Sequence, residues 1–158
     1  MDTEPTATDW AYLAGLIDGE GSIHLVQRKP GTVWTAARGK YRYIRPVNSF
    51  QCIVTISNTD WKMVDWTAST FGGGTSFSRR REGNRKIQYT VHWQANDEVV
   101  RILLGVKPYL LTKYELAEVV LRFLSVPKWE KEVREIIHSE FKQLRESIRV
   151  TGKEQLNA

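Results

Sequence analysis

Two segments of this chain alternate apolar and polar residues with a period of two. In residues 50–56, Phe50, Cys52, Val54 and Ile56 fall on one side, and Gln51, Ile53 and Thr55, with Ser49 before them, on the other. In residues 87–94, Ile87, Tyr89, Val91 and Trp93 fall on one side, and Gln88, Thr90, His92 and Gln94 on the other. That period belongs to a half-buried strand and not to a helix. Strands with one apolar face belong to an antiparallel sheet that is covered on one side and wet on the other.

The neighbouring segments extend the pattern. SIHLVQRK (22–29) reads as a strand, followed by a long loop containing Pro30, Gly31 and Gly39, and then a second strand over 43–56. Ser57-Asn58-Thr59-Asp60 starts a helix that runs to about Phe71, ended by Gly72-Gly73-Gly74. Residues 75–81 and 86–94 form a hairpin around Glu82-Gly83-Asn84. A short helix over 9–18, with Thr8 or Asp9 as N-cap, precedes all of this. Asn96 caps a helix over 97–104, Thr112 and Glu115 form a capping box for a helix to about Leu124, and Pro127 opens a last helix over 128–148. The expectation is an α+β fold: a four-stranded antiparallel sheet covered on one face by helices, αββαββα plus C-terminal helices. A chain of 158 residues fits one domain, taken as 1–150, with a polar tail at 151–158.

The wet face predicted for this sheet carries Ser22, His24, Arg28, Ser49, Gln51, Thr55, Arg79, Arg81, Gln88, Thr90 and His92. It is nearly free of Asp and Glu, and its side chains can bond base edges and phosphates. A strand of eight residues spans about 26 Å, or about eight base pairs. Charge is concentrated at the same places. Residues 28–45 hold Arg28, Lys29, Arg38, Lys40, Arg42 and Arg45 with no acid, and 79–86 hold five cations against Glu82. The formal net charge of +5 agrees but discriminates little by itself. Trp34, Tyr41 and Tyr43 lie in the basic region and are candidates for phosphate contact, whereas Trp66, Trp93, Tyr89 and Tyr109 read as core.

Other chemistry is excluded. The single cysteine, Cys52, permits neither an internal disulfide framework nor a cysteine metal cluster. No apolar run approaches the ~20 residues of a membrane span, and the acidic start MDTEPTATDW lacks the layout of a signal peptide. These point to an intracellular protein with no membrane partner, without separating an organellar from a bacterial compartment. His138 stands on the last helix without a partner in the sequence pattern and reads as structural.

One segment is electrostatically odd. LAGLIDGEGS (13–22) is an apolar helical stretch that ends in Asp18-Gly19-Glu20-Gly21. A helix C-terminus already carries about half a negative charge and favours cations. Two acids there imply either screening by water or a cation at that spot. Lys62 and Lys113 are the converse, cations at helix starts.

LAGLIDGEGS resembles the signature of the LAGLIDADG homing endonucleases, departing in LAGLIDGEG only by Gly for Ala and Glu for Asp. ISNTDWKMV (56–64) resembles the family segment after the first hairpin, and VKPYLLTKYELAEVVLRFL (106–124) its third conserved region. The resemblance implies a saddle-shaped sheet on double-stranded DNA. It also implies a site-specific endonuclease making staggered double-strand breaks in a long pseudo-palindromic target. One motif per chain implies a homodimer, with Leu13, Ala14, Gly15 and Ile17 at the interface. It further implies Mg²⁺, with Mn²⁺ as a substitute, on the Glu20 carboxylate and the Gly19 carbonyl, with catalytic roles for Lys62, Lys113 and Asn58 beside Glu20. Asn58 stands where the family often has Gln, and Asp18 is read as ordering the helix end. The alternative on the same fold is an intron RNA maturase or a DNA-binding protein that does not cut.

Overall fold

The computed structural model describes residues 4–31, 33–36, 41–44, 48–78 and 86–156; for 33–36, 41–43 and 152–156 the backbone alone is described. The order is α1 (Ala7–Glu20), β1 (Gly21–Arg28), β2 (Val33–Ala36), β3 (Tyr41–Ile44), β4 (Ser49–Asn58), α2 (Trp61–Phe71), β5 (Gly74–Ser78), β6 (Gln88–Trp93), α3 (Asn96–Val106), a 3₁₀ turn (Lys107–Tyr109), α4 (Tyr114–Ser125) and α5 (Lys131–Leu156). β1, β4, β6 and β5 lie in that order in one antiparallel sheet. The expected α+β architecture is therefore the observed one.

The register explains the two faces. Ser22 pairs with Thr55, His24 with Ile53, Val26 with Gln51 and Arg28 with Ser49 across β1 and β4. Thr55 pairs with His92 and Ser57 with Thr90 across β4 and β6. Partners in a ladder point the same way, so these residues share the open face. Their alternates Ile23, Leu25, Cys52, Val54, Ile56, Val91 and Trp93 are buried against Leu13 and Ile17 of α1, Val64 and Phe71 of α2, Ile102 of α3 and Phe123 of α4. Tyr109 is 40% exposed and does not belong to this core, contrary to expectation, because the 3₁₀ turn after α3 carries it outward.

Several boundaries differ. The expected loop after β1 contains a two-stranded ribbon of its own, β2 with β3, so the strand read as continuous over 43–56 divides into β3 and β4. Its alternation begins only at Ser49, where pairing with β1 begins. α1 starts earlier than expected, because Thr6 and not Thr8 or Asp9 is the N-cap. Its hydroxyl accepts from Asp9 N at 3.2 Å while Asp9 Oδ2 accepts from Thr6 N at 2.8 Å. Asn96 is the first residue of α3 and not its cap; Ala95 stands in that position with no side-chain bond. The Thr112–Glu115 box does not form, since Lys113 is the N-cap of α4 and the Thr112 hydroxyl is engaged elsewhere. Pro127 precedes the last helix instead of opening it, and α5 runs past Arg149 to Leu156.

Gly21 couples the helix to the sheet. A Cβ there would lie 2.7 Å from Ile17 Cα and 3.0 Å from the Thr55 carbonyl. Its backbone is extended (φ −92°), so the close approach of α1 to β4, and not a left-handed turn, requires glycine.

Candidate nuclease site on a nucleic-acid face

The motif helix ends with its two acids in different surroundings. Asp18 faces the start of α4. Its Oδ2 accepts from Leu111 N at 2.7 Å, and its Oδ1 from Thr112 N at 3.2 Å, Thr112 Oγ1 at 2.8 Å and Lys113 N at 3.0 Å. Burial pushes its pKa up, but those four bonds outweigh burial and hold the carboxyl below its ordinary value. Asp18 is thus structural, as expected, but it orders the approach to α4 more than the end of α1.

Glu20 faces outward and is exposed. Asn58 Nδ2 donates to Glu20 Oε2 at 3.1 Å, while Asn58 Oδ1 accepts from Asp60 N at 2.8 Å. The second bond fixes which end of the amide meets the carboxylate. Asp60 Oδ1 in turn accepts from Lys62 N at 2.9 Å and caps α2. A chain of hydrogen bonds therefore ties Glu20 to the start of α2, where Lys62 is exposed.

A cation does sit at the end of α1, and the chain supplies it. Lys113 Nζ donates to the carbonyls of Ile17 and Asp18, both at 2.6 Å. Last-turn carbonyls are short of intrahelical partners; Ile17 O also accepts from Gly21 N, and an ammonium there meets the negative end of the dipole. Burial lowers the pKa of Lys113, and the nearby Asp18 carboxylate opposes that shift. Gly19 is the next carbonyl in the same turn.

The sheet face begins where the motif helix stops. Arg28 Nε donates to Gln51 Oε1 at 3.0 Å, and Gln51 Nε2 to Gln94 Oε1 at 3.2 Å, so a polar network crosses β1, β4 and the end of β6. Ser57 and Thr90 hydroxyls are 2.7 Å apart. Ser22, His24, Ser49, Thr55 and His92 are partly exposed on this face and Gln88 is exposed. Burial, and secondarily Arg145, lowers the pKa of His24. Arg79 and Arg81 lie outside the described residues, as do the side chains of Trp34, Tyr41 and Tyr43. Sequence reasoning passed over Val26, Ser57 and Gln94 on the face, although the alternation placed Gln94 there.

The expected dimer contacts need correction. Leu13, Ala14 and Ile17 are 0% exposed within the single chain, packed on its own sheet. They are core, and a second copy cannot reach them. The exposed residues of α1 are Ala11, Tyr12, Gly15 and Gly19, among others. Helical spacing shows this once the burial of Leu13 and Ile17 is assigned to the chain's own sheet.

No family model and no curated protein matches the sequence. Solved structures do match. I-Vdi141I, an archaeal intron-encoded homing endonuclease complexed with DNA, superimposes with a TM-score of 0.61 at 12% identity, covering 87% of this chain and 84% of that one. This is the fold of the LAGLIDADG homing endonucleases. The homing endonuclease I-CvuI, in complex with its target in the presence of 2 mM Ca, gives 0.59 at 17% identity and covers 94% of both chains. I-SmaMI, bound to uncleaved DNA target in the presence of calcium ions, gives 0.52 at 18% identity over 92% of this chain but only 44% of that one. This chain therefore spans nearly all of one LAGLIDADG-fold endonuclease and under half of another.

The donor set at the α1 end has the character of a hard-cation site: the Glu20 carboxylate and the Gly19 carbonyl, both oxygen. Among the described residues no group of three or more His, Cys, Asp or Glu could enclose a metal. Mg²⁺ fits such a sparse site, because it is commonly held by one or two carboxylates with phosphates and water completing the shell.

Proposed function

We propose that the protein is a site-specific double-strand DNA endonuclease that hydrolyses phosphodiester bonds with Mg²⁺. One observation carries the reading. An outward carboxylate, Glu20, stands where the motif helix passes into an open, polar sheet face, with Asn58 oriented onto it and Lys113 fixed at the same helix end. Glu20 and the Gly19 carbonyl would hold the cation, which would supply positive charge to the scissile phosphate. Lys113 and Lys62 add fixed positive charge as the phosphate gains negative charge in the transition state. Asn58 keeps the Glu20 carboxylate turned outward. The sheet face reads the target through Arg28, Gln51 and their neighbours.

The working unit is a homodimer. A Cβ added at Gly15 or Gly19 would meet nothing within 4 Å in the single chain, so no internal contact requires glycine there. With Ala11 they form a small-residue stripe at four-residue spacing that lets two α1 helices approach closely. Each copy brings one Glu20, and the pair cuts opposite strands of a pseudo-palindrome. The match to under half of I-SmaMI supports two copies of this chain as the complete unit.

The test is a cleavage selection from randomised palindromic duplexes, in Mg²⁺ and in Ca²⁺, with the wild type and Glu20→Gln. Cut ends from the wild type in Mg²⁺ alone are the expected result. Duplexes retained but never cut would establish a binding protein instead, with intron RNA the next ligand to try.

A further inference from the structure

Two acids end the motif helix, and the proposed chemistry uses one. The geometry points to Asp18 as the positioning residue of the site: its carboxylate locks the end of α1 to the start of α4 and so holds Gly19, Glu20 and Lys113 in place for the cation. The inference rests on the proposed reading of Glu20 as the cation-holding carboxylate.

An ionised carboxylate offers about four lone-pair positions. Asp18 receives four donors: Leu111 N at 2.7 Å, Lys113 N at 3.0 Å, and Thr112 through both N at 3.2 Å and Oγ1 at 2.8 Å. Three of these donors fall on Oδ1 and one on Oδ2, so the carboxylate is committed to the residues before α4, whereas Glu20 faces outward to Asn58. The lock is reciprocal. While α1 gives its carboxylate to the residues before α4, Lys113 returns its ammonium to the Ile17 and Asp18 carbonyls, both at 2.6 Å. Six hydrogen bonds thus join two segments more than ninety residues apart in sequence. The backbone they clamp leads directly into Gly19 and Glu20.

The lock also removes an ambiguity at Lys113. An ammonium on a flexible four-carbon stem occupies many rotamers. Here the backbone N–H of the same residue is bound to Asp18 and its Nζ to the carbonyls beside it, so both ends of the side chain are fixed against α1. Partners that orient metal ligands without touching the metal typically change affinity or activity by about 10- to 100-fold when removed.

The experiment is a Mn²⁺ titration of the full-length chain, followed by paramagnetic broadening of the Gly19 and Glu20 amide resonances, with thermal stability measured alongside. The wild type should broaden and Glu20→Gln should not. Asp18→Asn should raise the half-broadening concentration about tenfold, because its amide nitrogen would face a donor. Should that variant fail to fold, Thr112→Val, which removes one of the four donors, should raise the concentration in the same direction by less. Ile102→Val, a core change that removes none of the six hydrogen bonds, should lower stability without moving the Mn²⁺ response. Equal Mn²⁺ response in wild type, Asp18→Asn and Thr112→Val, with only stability changed, would overturn the positioning role. So would a wild type that holds no Mn²⁺ at Gly19 and Glu20. Cleavage is scored separately. A wild type that cuts no duplex, yet whose Mn²⁺ response still depends on Asp18, would refute the nuclease reading and leave the positioning role standing.

Discussion

The two faces of the β1–β4–β6–β5 sheet are made by the same strands and obey different rules. On the covered face, Ile56, Val54, Val91 and Trp93 are 0% exposed and meet helices. On the open face, Arg28, Gln51 and Gln94 bond one another and remain accessible. The covered face is fixed by volume, where any change in shape is felt. The open face is fixed by hydrogen bonding, so its residues can change with little effect on the fold. The proposed recognition surface is therefore carried on a scaffold that does not depend on it.

The largest expected effect lies on the covered side. Phe123 is buried against Phe50, with ring centroids 5.2 Å apart, and the Arg134 guanidinium carbon lies 4.0 Å from its centroid. Phe123→Ala should cost about 3–5 kcal/mol in denaturant unfolding; a loss below about 1 kcal/mol would mean the helical layer does not carry the sheet. Next is Glu20→Gln, which should lower cutting about a thousandfold, or about 4 kcal/mol of barrier. Target affinity in Ca²⁺ should be kept, and retained cutting would dismiss Glu20 as the cation-holding carboxylate.

Arg28→Ala should weaken target binding about tenfold and reduce the salt slope by about one. Its stability should stay within about 0.5 kcal/mol of wild type. A stability loss with unchanged binding would reverse the assignment of faces.

The smallest effect is a pH dependence that samples both sides. His138 packs on Phe50 under the sheet and His24 lies on top. Burial lowers the pKa of each, helped by Lys142 at His138 and Arg145 at His24, while a hydrogen bond to the Leu25 backbone opposes the shift at His138. Below about pH 6.5 the unfolded chain binds more protons than the folded one. Stability is then full above that value and falls as pH drops through it. His138→Gln should flatten the fall between about pH 7 and 5 without touching DNA affinity. His24→Gln should flatten it and weaken binding, and matching behaviour in the two variants would erase the distinction between the faces.

The sequence by itself determined the sheet and its two faces. Alternation over 50–56 and 87–94 survives folding because a strand exposes successive side chains to opposite sides, whatever its neighbours are. The charge at the end of α1 raises the same question for Asp18 and Glu20, and only the resemblance of LAGLIDGEG to the family signature singles out Glu20. Local chemistry misled where a side chain had a distant competitor. Thr112 and Glu115 have the spacing of a capping box, but the Thr112 hydroxyl goes to Asp18 on another helix. The family resemblance places Leu13, Ala14 and Ile17 at a dimer contact, but they lie in the chain's own core, because a motif does not say which face of its helix the sheet takes. Only the tertiary structure decided that Asp18 turns inward to α4 while Glu20 turns outward to Asn58. Their neighbours lie from 38 to 95 residues away along the chain, a separation that no local pattern encodes.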